Sequence, residues 1–136
     1  MALPRELLDD LRAAVGTAHV LTKPEELATY DCDGLTSWRA IPAAVVLPAS
    51  ADEVQAVVRA CAARQVPFVA RGAGTGLSGG ALPVADGIVI GLARLNRILE
   101  VDLESHRVVV QPGVANLDVT GAVKAFRDAN PDPRIR

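Results

Sequence analysis

Five glycines fall within the ten residues Arg71-Gly72-Ala73-Gly74-Thr75-Gly76-Leu77-Ser78-Gly79-Gly80. Without Cβ atoms, such a backbone admits a ligand to contact distance, and its successive amides form a concave nest for anionic oxygens. Thr75 and Ser78 add hydroxyl donors, and Arg71 adds a positive charge. The chemistry this suits is phosphate or pyrophosphate binding. The plain alternative is a flexible surface loop. Flexibility alone gives no reason to place the loop directly after a buried parallel strand, where ligands collect in open α/β sheets. Gly74 to Gly79 also satisfies G-x-G-x-x-G, but that fingerprint must open a helix facing the pyrophosphate. Gly79-Gly80 and Pro83 follow instead, with nothing amphipathic before the next strand, so a nicotinamide-type Rossmann site fails its context. A P-loop is excluded because no Gly-Lys-Ser/Thr occurs. What remains is a nest of loop amides.

The elements that must hold this loop are legible on either side of it. Ala43–Leu47 is an apolar run of strand length ended by Pro48. Ser50-Ala51-Asp52-Glu53 matches a capping box, in which Ser50 receives the Glu53 amide and Glu53 reaches back. The helix that follows carries Val54, Val57, Val58 and Cys61 on one face, and all four are expected to be buried. Val66–Ala70 is the next strand, which makes a βαβ unit with parallel strands. A third run, Ile88–Leu92, follows the glycine loop. Upstream, Pro4 to about Val15 is a helix with Leu7, Leu8, Leu11 and Val15 on its apolar face and Gly16 as its stop. A short helix is expected at Pro24–Thr29, and Tyr30–Pro42 reads as loop. Downstream, Ile98–Asp102 and Arg107–Gln111 read as an antiparallel hairpin. Asn116 is expected to cap a last helix ending near Phe126, with Val119, Val123 and Phe126 on one face, before a frayed polar tail over Asp128–Arg136. The fold class is α/β: a small parallel sheet flanked by helices, then a β-hairpin beginning a second lobe.

Composition narrows the function. Half of the 136 residues are apolar, 22% are charged, and the net charge is −2. With only 3% aromatic residues and an acidic balance, a nucleic-acid platform is excluded. No run approaches the ~20 apolar residues of a membrane span. Acids stand near the N-terminus where a signal peptide carries basic charge, so a cytoplasmic location is expected. Cys32 and Cys61 are too few for a disulfide framework and are read as reduced thiols. His19 and His106 have no partner at metal-ligand spacing and are read as surface or turn residues, so no metal is expected.

Tyr30-Asp31-Cys32-Asp33-Gly34-Leu35-Thr36, Pro42-Ala43-Ala44-Val45-Val46-Leu47-Pro48 and Arg71 to Gly80, with Gln111-Pro112-Gly113-Val114 behind them, together carry a resemblance. The ordered set resembles the glycolate oxidase flavoprotein subunits and related D-lactate dehydrogenases, in the flavin-binding superfamily of vanillyl-alcohol oxidase and p-cresol methylhydroxylase. It covers roughly residues 25–120. The resemblance implies FAD, with the loop amides from Gly72 to Ser78 on its pyrophosphate. The implied cofactor-binding set is Arg71, Gly72, Ala73, Gly74, Thr75, Gly76, Leu77, Ser78 and Gly79. It also implies oxidation of a 2-hydroxy acid to a 2-oxo acid by hydride transfer to the flavin. Superfamily members with covalent FAD on this loop carry a histidine where this chain has Thr75, so the flavin is expected to be non-covalent. Family members run to several hundred residues. Residues 1–130 are therefore read as the N-terminal part of an FAD-binding domain, and 131–136 as the tail of a chain that ends early. The family's substrate-binding and proton-accepting residues have no counterpart, so no catalytic residue is assigned. The 2-hydroxy acid is a partner only of a full-length form, and the chain alone is expected to be inactive. Strand edges left uncovered are expected to favour self-association. The rival reading is a truncated fragment that folds but neither binds FAD stably nor catalyses.

Overall fold

The computed structural model describes residues 3–130, in two units divided between Arg94 and Leu95. The division falls just ahead of the expected hairpin.

In the first unit, α1 (Arg5–Val15) follows Pro4 and stops at Gly16, whose φ of 85° closes the last turn through a bond to the Arg12 carbonyl. Leu7, Leu11 and Val15 recur on one face and are buried. β1 (Val20–Leu21) and α2 (Pro24–Leu27) come next, then a long loop to β2 (Ala44–Val46). α3 (Ala51–Ala63) begins on Ser50, whose hydroxyl accepts the Glu53 amide at 3.2 Å. Glu53 does reach back, but to the Ala49 amide at 2.7 Å, one residue before the expected partner. β3 (Phe68–Arg71) and β4 (Ile88–Gly91) complete the sheet, in the order β1-β2-β4-β3.

The central strand is β4, parallel to both neighbours, with Val45, Val89 and Val69 level across the three. β2 and β3 are thus parallel, as expected of the βαβ unit, but they are not adjacent. All four residues of β4 are buried. Ala44, Val46, Ile88 and Ile90 share one core with the apolar faces of α1 and α3. Val45 and Val89, one residue out of phase, lie in a second cluster with Leu27. The period of two therefore feeds both faces, which is why these strands read as unbroken apolar runs.

Three expectations in this unit need correction. β1, two residues paired antiparallel to β2, had no signal of its own. β3 starts two residues late, because Gln65 takes a φ of 54° and the Val66 amide still bonds the Cys61 carbonyl as part of the helix exit. It is also an edge strand with Phe68 40% exposed, rather than a buried one. Finally, Val57 and Cys61 are fully buried, while Val54 and Val58 are half-buried. Val57 and Cys61 stand one turn apart and form the seam, with the other two on its flanks. Val57→Ala is expected to cost ~1–3 kcal/mol through the cavity it leaves. The check is a urea denaturation midpoint that falls at an unchanged slope.

The second unit holds β5 (Ile98–Asp102) and β6 (Arg107–Val110), paired antiparallel with an irregularity between Ile98 and Glu100. His106 lies in the hairpin turn at φ 50°. α4 (Asn116–Ala129) has Ala115 at its N-cap and no side-chain cap, so Asn116 is the first helical residue and does not cap. Its hydroxyl-bearing neighbour Thr120 instead donates to the Asn116 carbonyl at 3.1 Å. The helix runs through Asp128 and Ala129, which were expected to fray, and it has no buried residue. Val119 and Val123 are half-buried and Phe126 is 43% exposed. The rest of the expected tail, 131–136, lies outside the described residues.

Candidate functional site

No helix interrupts the chain between β3 and β4. Arg71 is the last residue of β3, and the glycine loop leaves from it. Gly74 and Gly79 take φ values of 72° and 74°, left-handed positions that glycine occupies without strain. Gly72, Ala73, Thr75, Gly76, Leu77 and Ser78 are exposed, Leu77 to 74%. Around Gly76, Gly79 and Gly80 there is open space where a Cβ would stand. Among the described residues, the ten backbone N–H groups from Gly72 to Ala81 donate to no protein acceptor. Exposed amides of this kind bond to water and remain available to an anionic ligand.

Arg71 stands apart from the other residues expected at the site. It is only 9% exposed, and its Nη1 donates to the Cys32 carbonyl at 2.6 Å. Its guanidinium carbon lies 5.5 Å from the centre of the Tyr30 ring, and its planar head sits under Gly74, where a Cβ would collide with it. A second close approach joins the same segments: a Cβ on Gly34 would stand 2.7 Å from the carbonyl oxygens of Thr75 and Gly76. The stretch 30–35 is therefore the floor of the glycine loop. Nothing in its local pattern signals this. Its only trace in the sequence is that it travels with the loop in the family resemblance.

The floor has its own bracing. Asp33 is 4% exposed, and its Oδ1 accepts the Leu35 amide at 2.8 Å, while Oδ2 is buried without a partner among the described residues. Asp31 accepts from Arg39 at 2.6 Å, and its carbonyl takes the Ala40 amide at 2.8 Å, which closes the segment on itself. The hydrogen bond from Arg39 holds the Asp31 carboxyl below its ordinary value of 3.8. The neighbouring Asp31 carboxylate, with some burial, pushes the Cys32 thiol up, which leaves it protonated and a poor nucleophile at neutral pH. Because the folded value of Asp31 is depressed, its contribution is complete above the unfolded value and fades as pH falls through the folded one. Asp31→Asn is expected to make segment 30–40 less sensitive to acid below pH ~4. Trp38, the single tryptophan, reports this: its emission should shift with pH in the wild type more than in the variant.

Both cysteines are free thiols, with Cys61 buried. Among the described residues, no cluster of His, Cys, Asp or Glu is placed to hold a metal ion, and no helix is long and apolar enough to cross a membrane.

A mixed sheet, parallel across β2, β4 and β3, that feeds a helix-free glycine loop with open space beside it defines an α/β domain. Residues 42–133 match the model of the FAD binding domain family, and the chain belongs to that family. FAD is accordingly its cofactor, and the free donors and open cradle of the loop fit a pyrophosphate. The chain is 45% identical over 113 residues to the glycolate oxidase subunit GlcD of Escherichia coli K12, covering 83% of this chain and 23% of that one. It is 40% identical over 114 residues to a D-2-hydroxyglutarate dehydrogenase of Xanthomonas citri pv. viticola, covering 84% and 24%. Among solved structures, substrate-bound p-cresol methylhydroxylase matches with a TM-score of 0.78 at 26% identity, over 90% of this chain and 24% of the other. The chain thus spans about a quarter of the length of these relatives. The resemblance read in the sequence, including its superfamily, is borne out.

Proposed function

We propose that this chain is the FAD-binding portion of a flavin-dependent 2-hydroxy-acid oxidoreductase of the glycolate or D-lactate type. The run of free amides from Gly72 to Ala81 carries the reading, since a pyrophosphate accepts several N–H groups at once. The residues that face the cofactor are Gly72, Ala73, Gly74, Thr75, Gly76, Leu77, Ser78 and Gly79, and Arg71, the other member of the expected set, is turned beneath them toward Cys32 and Tyr30. Within the loop Thr75 and Ser78 add exposed hydroxyls, and Leu77 offers an apolar side chain to the ligand. Thr75 stands where superfamily members with covalent FAD on this loop carry a histidine, so the cofactor is held without a covalent link. When bound, FAD supplies the hydride acceptor for oxidation of a 2-hydroxy acid, and the protein supplies binding and orientation. The hydroxy acid is a substrate of the longer protein in which this portion works, and no residue of this chain is assigned to its chemistry. A reducing, cytoplasmic setting fits two free thiols. The free edge of β3, with Phe68 exposed beside it, is where self-association would begin.

The test is titration of the purified 136-residue chain with FAD, followed by flavin fluorescence, with inorganic pyrophosphate as competitor. Saturable binding displaced by pyrophosphate is expected, with all flavin released into the supernatant on acid precipitation. Flavin left in the pellet would refute the non-covalent attachment. No binding by a chain with normal circular dichroism would favour the fragment that folds without cofactor.

A further inference from the structure

We infer that Arg71 is a positioning residue, which clamps segment 30–35 beneath the glycine loop and so aims the loop amides, rather than a residue that touches the phosphate. The inference rests on the reading of the loop as a pyrophosphate nest.

The direction of the side chain follows from the strand. Val69 and Arg71 are two residues apart in β3 and share a face, and Val69 and Tyr30 both pack against the cluster of Leu27, Val45 and Val89. The guanidinium is therefore delivered under the sheet's end, against Tyr30. A buried guanidinium is stable only with partners, and this one has the Cys32 carbonyl and the Tyr30 ring. Its head also underlies Gly74, where an added Cβ would collide with it, so the loop rests on the guanidinium at this position.

The consequence for the amides comes from peptide geometry. All peptide bonds among the described residues are trans, so each carbonyl and the following N–H point in opposite directions. A Cβ on Gly34 would lie 2.7 Å from the Thr75 oxygen and 3.0 Å from its carbon, so this carbonyl runs side-on against Gly34. The Gly76 oxygen is equally close. Both peptides are thus pressed against the floor, so where the floor stands sets their orientation and with it that of the Gly76 and Leu77 N–H groups. If the clamp is released, the floor can drift and the two peptides are free to rotate. The expected loss on mutation is thus one of preorganisation, not of a charge contact.

Two variants, Arg71→Ala and Arg71→Lys, separate these roles in the 136-residue chain. Lysine keeps the charge but lacks the planar fork that both donates to Cys32 and lies over the Tyr30 ring. Amide hydrogen exchange without ligand is measured first, then binding of FAD and of inorganic pyrophosphate at low and high salt. Arg71→Ala is expected to speed exchange across Cys32–Gly34, where any amide is protected, and to change the exchange pattern across 72–77. Protection of β4 should be retained, which certifies the fold. Affinity for FAD and pyrophosphate should fall about tenfold or more by the same factor, with an unchanged salt dependence, and lysine should recover little of it. A direct phosphate contact gives the opposite pattern: unchanged exchange, a shallower salt dependence in Arg71→Ala, and rescue by lysine. That pattern would overturn the inference, as would wild-type affinity in both variants. If the alanine variant loses β4 protection, the lysine variant carries the same comparison. Absence of binding by the wild-type chain would refute the nest itself, and the clamp then stands or falls on the exchange data.

Discussion

Gly74→Val is expected to abolish flavin retention by the chain while leaving its helices and strands in place. Two independent effects act at this residue. Its φ of 72° lies in the left-handed region, where a β-branched side chain is strained by about 1–3 kcal/mol. The added Cβ also meets the Arg71 guanidinium, with Nε at 2.8 Å and the rest of the head nearer. From sequence alone, the reason to protect this glycine is that a side chain would fill the space of the pyrophosphate. The geometry puts the collision on the underside of the loop instead. Valine therefore cannot be accommodated without driving Arg71 off the Cys32 carbonyl and the Tyr30 ring. Flavin content after gel filtration in the presence of FAD is the measurement, with far-ultraviolet circular dichroism as the check on folding. Gly121→Ala is the matched control, since nothing lies near its Cβ position, its φ is not left-handed and it stands in α4, outside the glycine loop. It should retain flavin as the wild type does. Wild-type stoichiometry in Gly74→Val would reduce Gly74 to a turn residue.

The parts of this fold that the sequence announces are those whose forces act locally. α1 and α3 declare themselves by a 3.6-residue period and, for α3, by Ser50 at its cap. The unbroken apolar run of β4 marks a strand covered on both faces. The absence of a helix after the glycine loop follows from Gly79, Gly80 and Pro83, and that absence separates this site from a Rossmann site. What escaped is what depends on distance along the chain. β1 is two residues held by β2, with no pattern long enough to read. That β4 lies between β2 and β3 depends on a strand not yet reached when the βαβ unit is read. Arg71 is the most instructive case. Its charge beside a glycine loop suggested a phosphate ligand, because a sequence gives the charge but not the direction in which the strand delivers it. The direction is set by Val69, two residues earlier, and the partner is a carbonyl 39 residues away.

Gly34→Val is expected to weaken FAD binding by an order of magnitude or more, although Gly34 lies outside the glycine loop. Gly34 does not occupy the left-handed region, so backbone strain plays no part and the effect is purely one of space. A Cβ there would stand 2.7 Å from two backbone oxygens, those of Thr75 and Gly76. Backbone atoms cannot swing aside as a side-chain tip does, so either the floor drops or the loop lifts. Either movement rotates the peptides whose N–H groups belong to Gly76 and Leu77. Core packing is untouched, because segment 31–43 lies outside the helices and strands, and none of its members belongs to the apolar core around α1 and α3. The denaturation midpoint should therefore move far less than the affinity does. Trp38, four residues along the same segment, gives a readout that needs no flavin: its emission should shift in the ligand-free variant. Gly34→Ala, with the same first carbon but no branches, should fall between wild type and valine. FAD titration of the three proteins decides the matter. Equal affinity across the series, with Trp38 emission unmoved, would mean that the floor yields freely and that the glycine loop alone sets its own shape.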